Sequence, residues 1–258
     1  MQTVHDIEQA LYAMAPKEGA MAGDNVGHLI GDPTGAVRRV LVALDITEAV
    51  VDEAAEKGCE LIVAHHPVLN SSWEPVQSLR WDEPKGRIWI KLIQKGISAV
   101  CMHTNLDVAP GGINDCLAQR LGLAQVEAME NGLIRVGTLP QPMALRDFAA
   151  HVKASLGCNG VRWCDAGKKV FKVAVGGGTC GSYEGEVLSA GCDTFVTADL
   201  KYHQFLDAPA KGINLIDAGH FPTEDPVCEA LIQYLTARFP ELRAEKSASH
   251  REVIQYYV

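Results

Sequence analysis

Five side chains of metal-ligating type stand just beyond three apolar runs. His65 and His66 follow Glu60–Ala64, Asp107 follows Ile97–Cys101 and the polar stretch that opens at His103, and His220 and Glu224 follow Gly212–Asp217. Imidazole and carboxylate together suit Zn, Mn, Fe or Ni, and five such groups exceed what one ion ordinarily takes. The chemistry this predicts is a two-metal hydrolytic centre, in which a carboxylate such as Glu224 bridges ions roughly 3.5–4 Å apart. His103, beside Asp107, and His203, in Ala198-Asp-Leu-Lys-Tyr-His203, are candidate groups for proton transfer. Each piece also has a plain structural alternative. His65 and His66 would be one buried and one exposed histidine, Asp107 an Asx turn, and Thr223-Glu224 the capped start of a helix with His220 in the loop before it.

The elements that must position these groups are strands, since ligands of open α/β sheets gather where strand ends converge. Apolar runs alternate with helix-like stretches along the chain, the habit of an α/β protein with mixed, mostly parallel sheets and its site at the strand ends. Arg39–Asp45 reads as a buried strand. Thr47 reads as the N-cap of a helix that closes at Gly58, and a second helix spans Gly86–Lys95. Between Asn70 and Lys85, Trp73-Glu-Pro75, Trp81 and Pro84 predict a loop. The periodicity loosens over 123–132, which marks a boundary. Strands are then expected at Leu133–Leu139, Gly160–Cys164, Val170–Val175 and Thr194–Thr197, and a long helix over Glu224–Arg238. Adjacent strand residues point to opposite faces, so two neighbouring ligands at 65–66 require the backbone to turn there, helped by Pro67.

A rival chemistry lies at Gly176-Gly-Gly-Thr-Cys-Gly181. This stretch matches G-x-G-x-x-G between a strand and a helix, with Asp199 beyond it in the place of a ribose-binding acid, and so offers an NAD(P)-dependent oxidoreductase. The net charge of −9 speaks against a nucleic-acid-coating surface. Eight cysteines are scattered without any Cys-x-x-Cys, and no basic leader or membrane-length apolar run occurs. Reduced thiols and a cytoplasmic location are expected, with no membrane partner.

Three blocks in order, His65-His66-Pro67, His103-Thr-Asn-Leu-Asp107 with Gly111-Gly112, and Gly219-His220 with Glu224, resemble the signature of the Nif-three-like family. Its bacterial members go by the name GTP cyclohydrolase 1 type 2 homolog. Asp24-Asn25-Val26-Gly27 and Ala198-Asp199-Leu-Lys-Tyr-His203 resemble two further blocks, so the likeness spans nearly the whole chain. The resemblance implies a two-lobed α/β protein, here with 1–125 plus 217–258 as the metal-binding lobe and 126–216 as the second. It implies two divalent ions held by His65, His66, Asp107, His220 and a bridging Glu224, and assembly as a toroidal homohexamer. The implied activity is hydrolysis of a nucleotide-like small molecule, such as purine ring opening in GTP; a non-catalytic regulatory or scaffold protein with the same ligands is the alternative. Gly23, His28 and Ala198 depart from the family pattern and leave the ligand positions untouched.

Overall fold

The alternating pattern folds as two α/β units, 1–110 with 228–251 and 111–227 with 252–258. In this computed structural model the described residues are 1–69, 76–130 and 132–257, so the Asn70–Pro75 part of the expected loop lies outside them.

The first unit runs β1 (Gln2–Thr3), α1 (Val4–Met14), β2 (Gly27–Ile30), β3 (Ala36–Val37), β4 (Arg39–Ala43), α2 (Glu48–Glu56), β5 (Leu61–Ala64), α3 (Pro84–Lys95), β6 (Ser98–Cys101) and α4 (Thr104–Val108). The second runs α5 (Ile113–Arg120), β7 (Ala124–Ala128), β8 (Arg135–Met143), α6 (Leu145–Leu156), β9 (Arg162–Cys164), β10 (Val170–Val175), α7 (Glu184–Ser189), β11 (Thr194–Thr197), α8 (Tyr202–Lys211), β12 (Asn214–Asp217) and α9 (His220–Glu224). Helix α10 (Pro226–Arg238) then carries the chain back to the first unit and β13 (Arg243–Lys246).

The first unit's main sheet has the order β13-β4-β5-β6-β2, parallel except for β2 at the edge. Strands β5 and β6 are buried along their whole length, as is β4 after Arg39. Parallel strands covered on both faces give the unbroken apolar runs seen in the sequence. Thr47 caps α2 by accepting from the Val50 amide, Pro84 opens α3 two residues before the expected start, and Gly96, at φ +63°, ends it.

The second unit's sheet has the order β7-β8-β10-β11-β12-β9, and only β10–β11 and β11–β12 are parallel. The mostly parallel arrangement therefore describes the first unit, while antiparallel strands frame the second. β7 lies where the periodicity loosens because every one of its residues is exposed, and an edge strand with no buried face writes no alternation into the sequence. β8 runs on past Leu139 to Met143 through Pro140 and Pro142.

The lobe boundaries expected at 125/126 and 216/217 fall instead at 110/111 and 227/228, with 252–258 also in the second unit. Packing explains the shift. Leu117, Ala118 and Leu121 of α5 share a core with Phe148, Val173, Val196 and Ile216, and Asn159 donates to the Ile254 carbonyl.

Within the first unit one carboxylate fastens the returning C-terminal segment. Glu53, on α2, accepts from Ser247 Oγ at 2.6 Å, from the amides of Ala248 and Ser249 at 2.8 Å, and from Lys57 Nζ at 2.8 Å. Burial pushes this carboxyl up, but the hydrogen bonds from Lys57, Ser247 and the two amides outweigh it and hold it well below the ordinary range. Glu53→Gln is expected to cost about 2 kcal/mol, because an amide N–H would face backbone donors. A folded pKa below the unfolded one stabilises above the carboxylate range and ceases to as pH falls through it. The gap in melting temperature between wild type and variant should therefore narrow from about pH 7 to about pH 3.

Candidate metal centre

Strand register brings the first unit's donor groups to one rim. Ala43 pairs with Ala64 and Ala64 with Cys101, so Asp45, His65-His66 and Met102-His103 all leave the sheet at the same end. The backbone bends at His65-His66, as two adjacent ligands require, while the His65 and His66 amides still bond to the Ala43 and Leu44 carbonyls.

Each of these three imidazoles is gripped at Nδ1. His65, only 1% exposed, donates Nδ1–H to the Met102 carbonyl at 2.8 Å. His66 does the same to Asp45 Oδ1 at 2.8 Å, and His103 to both oxygens of Asp24 at 2.9 and 3.0 Å. A carbonyl or carboxylate can only accept, so a proton is held on Nδ1 and the lone pair of the neutral ring is on Nε2, the arrangement characteristic of metal-ligating histidines. Burial pushes the Asp24 carboxyl up, but hydrogen bonds from His103 and from the Thr104 hydroxyl and amide hold it well below its ordinary value. The ligand nitrogens of His65, His66 and His103 lie within 4.8 Å of one another, and His65 Nε2 is 3.6 Å from Asp107 Oδ1. Asp107 sits on α4, a short helix where an Asx turn is the plain alternative.

The second unit builds its own set by the same register logic. Val175 pairs with Val196 and Thr197 with Asp217, so the glycine loop after β10, Asp199 after β11 and His220 after β12 share one rim. The helix carrying His220 begins at His220 itself, where the sequence suggested a start near Thr223. Gly219, at φ +86°, turns the chain directly from β12 into α9. His220 and Glu224 are thus i and i+4 on one helical face, with His220 Nε2 3.1 Å from Glu224 Oε1. Thr223 is no N-cap. Its hydroxyl lies 2.8 Å from the His220 carbonyl and 3.0 Å from the Gly219 carbonyl, and accepts from the Gly178 amide.

His220 is also gripped at Nδ1, by Asp199 Oδ2 at 2.7 Å, which in turn accepts from Thr179 Oγ1. Asp199 adopts φ +54°, a left-handed conformation that aspartate visits more readily than most residues other than glycine. Burial raises its carboxyl, and hydrogen bonds from His220 and Thr179 outweigh that and lower it. With Nδ1–H given to Asp199, a neutral His220 turns its lone pair towards a buried carboxylate. A proton or a cation between them removes that repulsion.

The glycine loop is built into this arrangement. The Gly176, Gly177, Gly178 and Cys180 amides bond to Val196 O, Asn114 Oδ1, Thr223 Oγ1 and Thr197 Oγ1. A dinucleotide loop must keep its amides for a pyrophosphate, and the acid expected on the ribose is bonded to His220. The loop supports His220 and Glu224, and the oxidoreductase reading has no support in it. His203, the other proton-transfer candidate, is exposed on the first turn of α8. Asp45 carries no role in the sequence itself, Asp24 stands there as part of a motif only, and Asp199 as a ribose-binding acid and part of a motif. The signal in common is position, since Asp45 and Asp199 each stand two residues beyond a strand.

The fold and its histidine–carboxylate clusters define a class: two-unit α/β proteins whose strand ends carry groups able to hold metal ions. Residues 2–252 match the family description Duf34/NIF3 (NGG1p interacting factor 3). A GTP cyclohydrolase 1 type 2 homolog of Streptococcus pneumoniae is 33% identical over 226 residues, 84% of each chain. Among solved structures, Staphylococcus aureus hypothetical protein SA1388 superposes with TM-score 0.91 at 31% identity over 99% of both chains. A Bacillus cereus protein related to NIF3 does so with 0.89 at 28%, again over 99% of both. The chain belongs to the Duf34/NIF3 family. Among the described residues no helix is long and apolar enough to cross a membrane.

A Cβ at Gly178, φ +61°, would run into Glu224 Oε1 and approach His220 Nε2 to 3.1 Å, whereas Gly191, φ +73°, has open space around it. Alanine at either position carries the left-handed cost of about 1–2 kcal/mol. Gly191→Ala should lower the melting temperature and leave metal uptake unchanged. Gly178→Ala should lower both; metal uptake equal to wild type would refute the supporting role of the loop.

Proposed function

We propose that this chain is a divalent-metal-dependent hydrolase of a nucleotide-like small molecule. In this reading His65, His66 and Asp107 of the first unit and His220 and Glu224 of the second would hold the divalent ions. The observation that carries it is shared by all three of these histidines. Each gives Nδ1–H to a fixed acceptor (Met102 O, Asp45 or Asp199), and two of them, His65 and His220, have Nε2 beside a carboxylate. Nitrogen and oxygen donors of this kind fit Zn, Mn, Fe or Ni, which supply Lewis acidity and bring the pKa of a ligated water towards neutrality.

The chain's own residues do the rest. Asp45 and Asp199 orient the imidazoles and increase their basicity as ligands. The Gly176–Gly181 loop holds Glu224 in place, and exposed His203, four residues beyond Asp199, moves protons between solvent and the reacting ring. The substrate class, with GTP as its first member, is supported by the names of the curated relatives, as in the Streptococcus pneumoniae homolog. Assembly as a toroidal homohexamer in the cytoplasm belongs to the same reading, and light scattering of the purified protein tests the assembly.

Elemental analysis should find about two divalent ions per chain, falling to one or fewer in Glu224→Ala. Metal-loaded wild type should release formate from GTP at a rate at least a hundredfold above that variant, since loss of a catalytic group typically costs about 10²–10⁴ in rate. Full metal content with equal background rates in both proteins would favour a non-catalytic metal-binding role.

A further inference from the structure

The end of the first unit's sheet that lies away from His65 and His66 gathers arginines. β13 runs parallel to β4 with Arg243 as the partner of Arg39, so these two side chains leave the same face side by side. Arg38 precedes them, and all three line one cleft of about 460 Å³ together with Gln2 and Glu241. Every one of these residues belongs to the first unit. Like charges side by side on neighbouring strands are destabilising, so this placement works against the fold. Among the described residues, Arg38, Arg39 and Arg243 form no ion pair, and the acids nearest to them are committed elsewhere. Glu60 accepts from the Arg38 and Arg39 backbone amides at 3.1 and 2.9 Å, and Glu53 and Glu245 pair with Lys57 at 2.8 and 3.3 Å. We propose that Arg38, Arg39 and Arg243 form a binding site for the phosphate or pyrophosphate group of a small molecule, separate from the metal centre.

Charge, geometry and position support the assignment. Three guanidinium groups against the single carboxylate of Glu241 make the cleft cationic, in a chain whose net charge is −9. A guanidinium is a planar fork that matches phosphate oxygens in pairs, and two forks side by side suit a group with several such oxygens. Arg39 is half-buried and gives one N–H to the Lys57 carbonyl at 2.9 Å, which fixes one arm and leaves further donors for a ligand. Arg38 and Arg243 are exposed and free to close on an anion. The volume falls within the range of about 300–1,000 Å³ usual for small-molecule sites. A second cleft of about 470 Å³ shares Gln2 with the first and adds Arg238, which gives room for the organic part of a phosphate ester. A polynucleotide fits less well, because it needs a long basic stripe that the overall charge opposes. β4 runs from Arg39 to Ala43 before the chain reaches Asp45, so about 13 Å of strand separates the cleft from the rim that carries the histidines.

The test uses the full chain with its metal as purified, titrated calorimetrically with inorganic phosphate, pyrophosphate and GMP. About 0.15 M NaCl is present throughout, to screen loose attraction between exposed charges. Binding should be seen, and Arg39→Gln/Arg243→Gln should weaken it at least about tenfold with metal content unchanged, since hydrogen bonds between charged groups are lost. Tighter binding of GMP than of phosphate would assign a nucleotide ester; the reverse order would assign a free inorganic anion. Equal affinity in both proteins would overturn the proposal, as would absence of binding at this salt. A second measurement reads the cleft directly. Phenylglyoxal modifies arginine side chains, and pyrophosphate should slow that reaction at Arg39 and Arg243 but not at exposed Arg146 of the second unit, as followed by peptide mass spectrometry. Equal slowing at all three, or none, would refute the site. Because the substitutions remove like-charge repulsion, the ligand-free variant should melt no lower than wild type. A lower melting temperature with unchanged phosphate affinity would mark these arginines as structural.

Discussion

The geometry of both clusters depends on one constraint, the capture of each histidine's Nδ1–H by an acceptor that cannot give the proton back. Met102 O, Asp45 and Asp24 do this in the first unit and Asp199 in the second. An imidazole so held has one tautomer and one ring orientation, and it presents a single nitrogen for chemistry. Rotation about χ2 would break the bond, so the acceptor converts a flexible side chain into a fixed donor. The acceptors themselves are fixed by strand ends and buried hydrogen bonds, which ties ligand geometry to the sheets.

Sheet register is the next level of control. In each unit neighbouring parallel strands end in step, and the residues one to three positions beyond the last pair become the site. A one-residue slip of any of these strands would send its side chains to the opposite face and separate a histidine from its acceptor. In the first unit the His65 and His66 amides, bonded to the Ala43 and Leu44 carbonyls, carry that register past the end of β5. In the second, the glycine loop and Thr223 add a lock, because the Gly177 and Gly178 amides reach Asn114 and Thr223.

Three residues at the second unit's rim take a positive φ. Gly178, Asp199 and Gly219 adopt φ of +61°, +54° and +86°. Two of them are glycine, which takes these values without steric cost, and the third is an aspartate whose carboxylate is engaged by Thr179 and His220. Conformations of this sort persist only where the surrounding structure over-determines them. Here they place a helix start, a carboxylate and a loop against one histidine.

The ligand-type residues, their place after apolar runs and the α/β class were all legible in the amino-acid sequence, because burial on both faces of a parallel strand and the turn chemistry at its end are local in composition. The resemblance carried by three short blocks also pointed to the family that the chain proves to belong to. Other features were decided only in three dimensions. β7 was invisible because an exposed edge strand buries no face, and the unit boundaries moved because α5 and α9 find their cores and partners across long sequence separations. The start of α9 at His220 depended on a glycine torsion, and the roles of Asp24, Asp45 and Asp199 on hydrogen bonds 79, 21 and 21 residues apart. Residue type is written locally and announces what chemistry is available. Which nitrogen of each histidine is offered to it is settled by acceptors that only the folded sheets bring within reach.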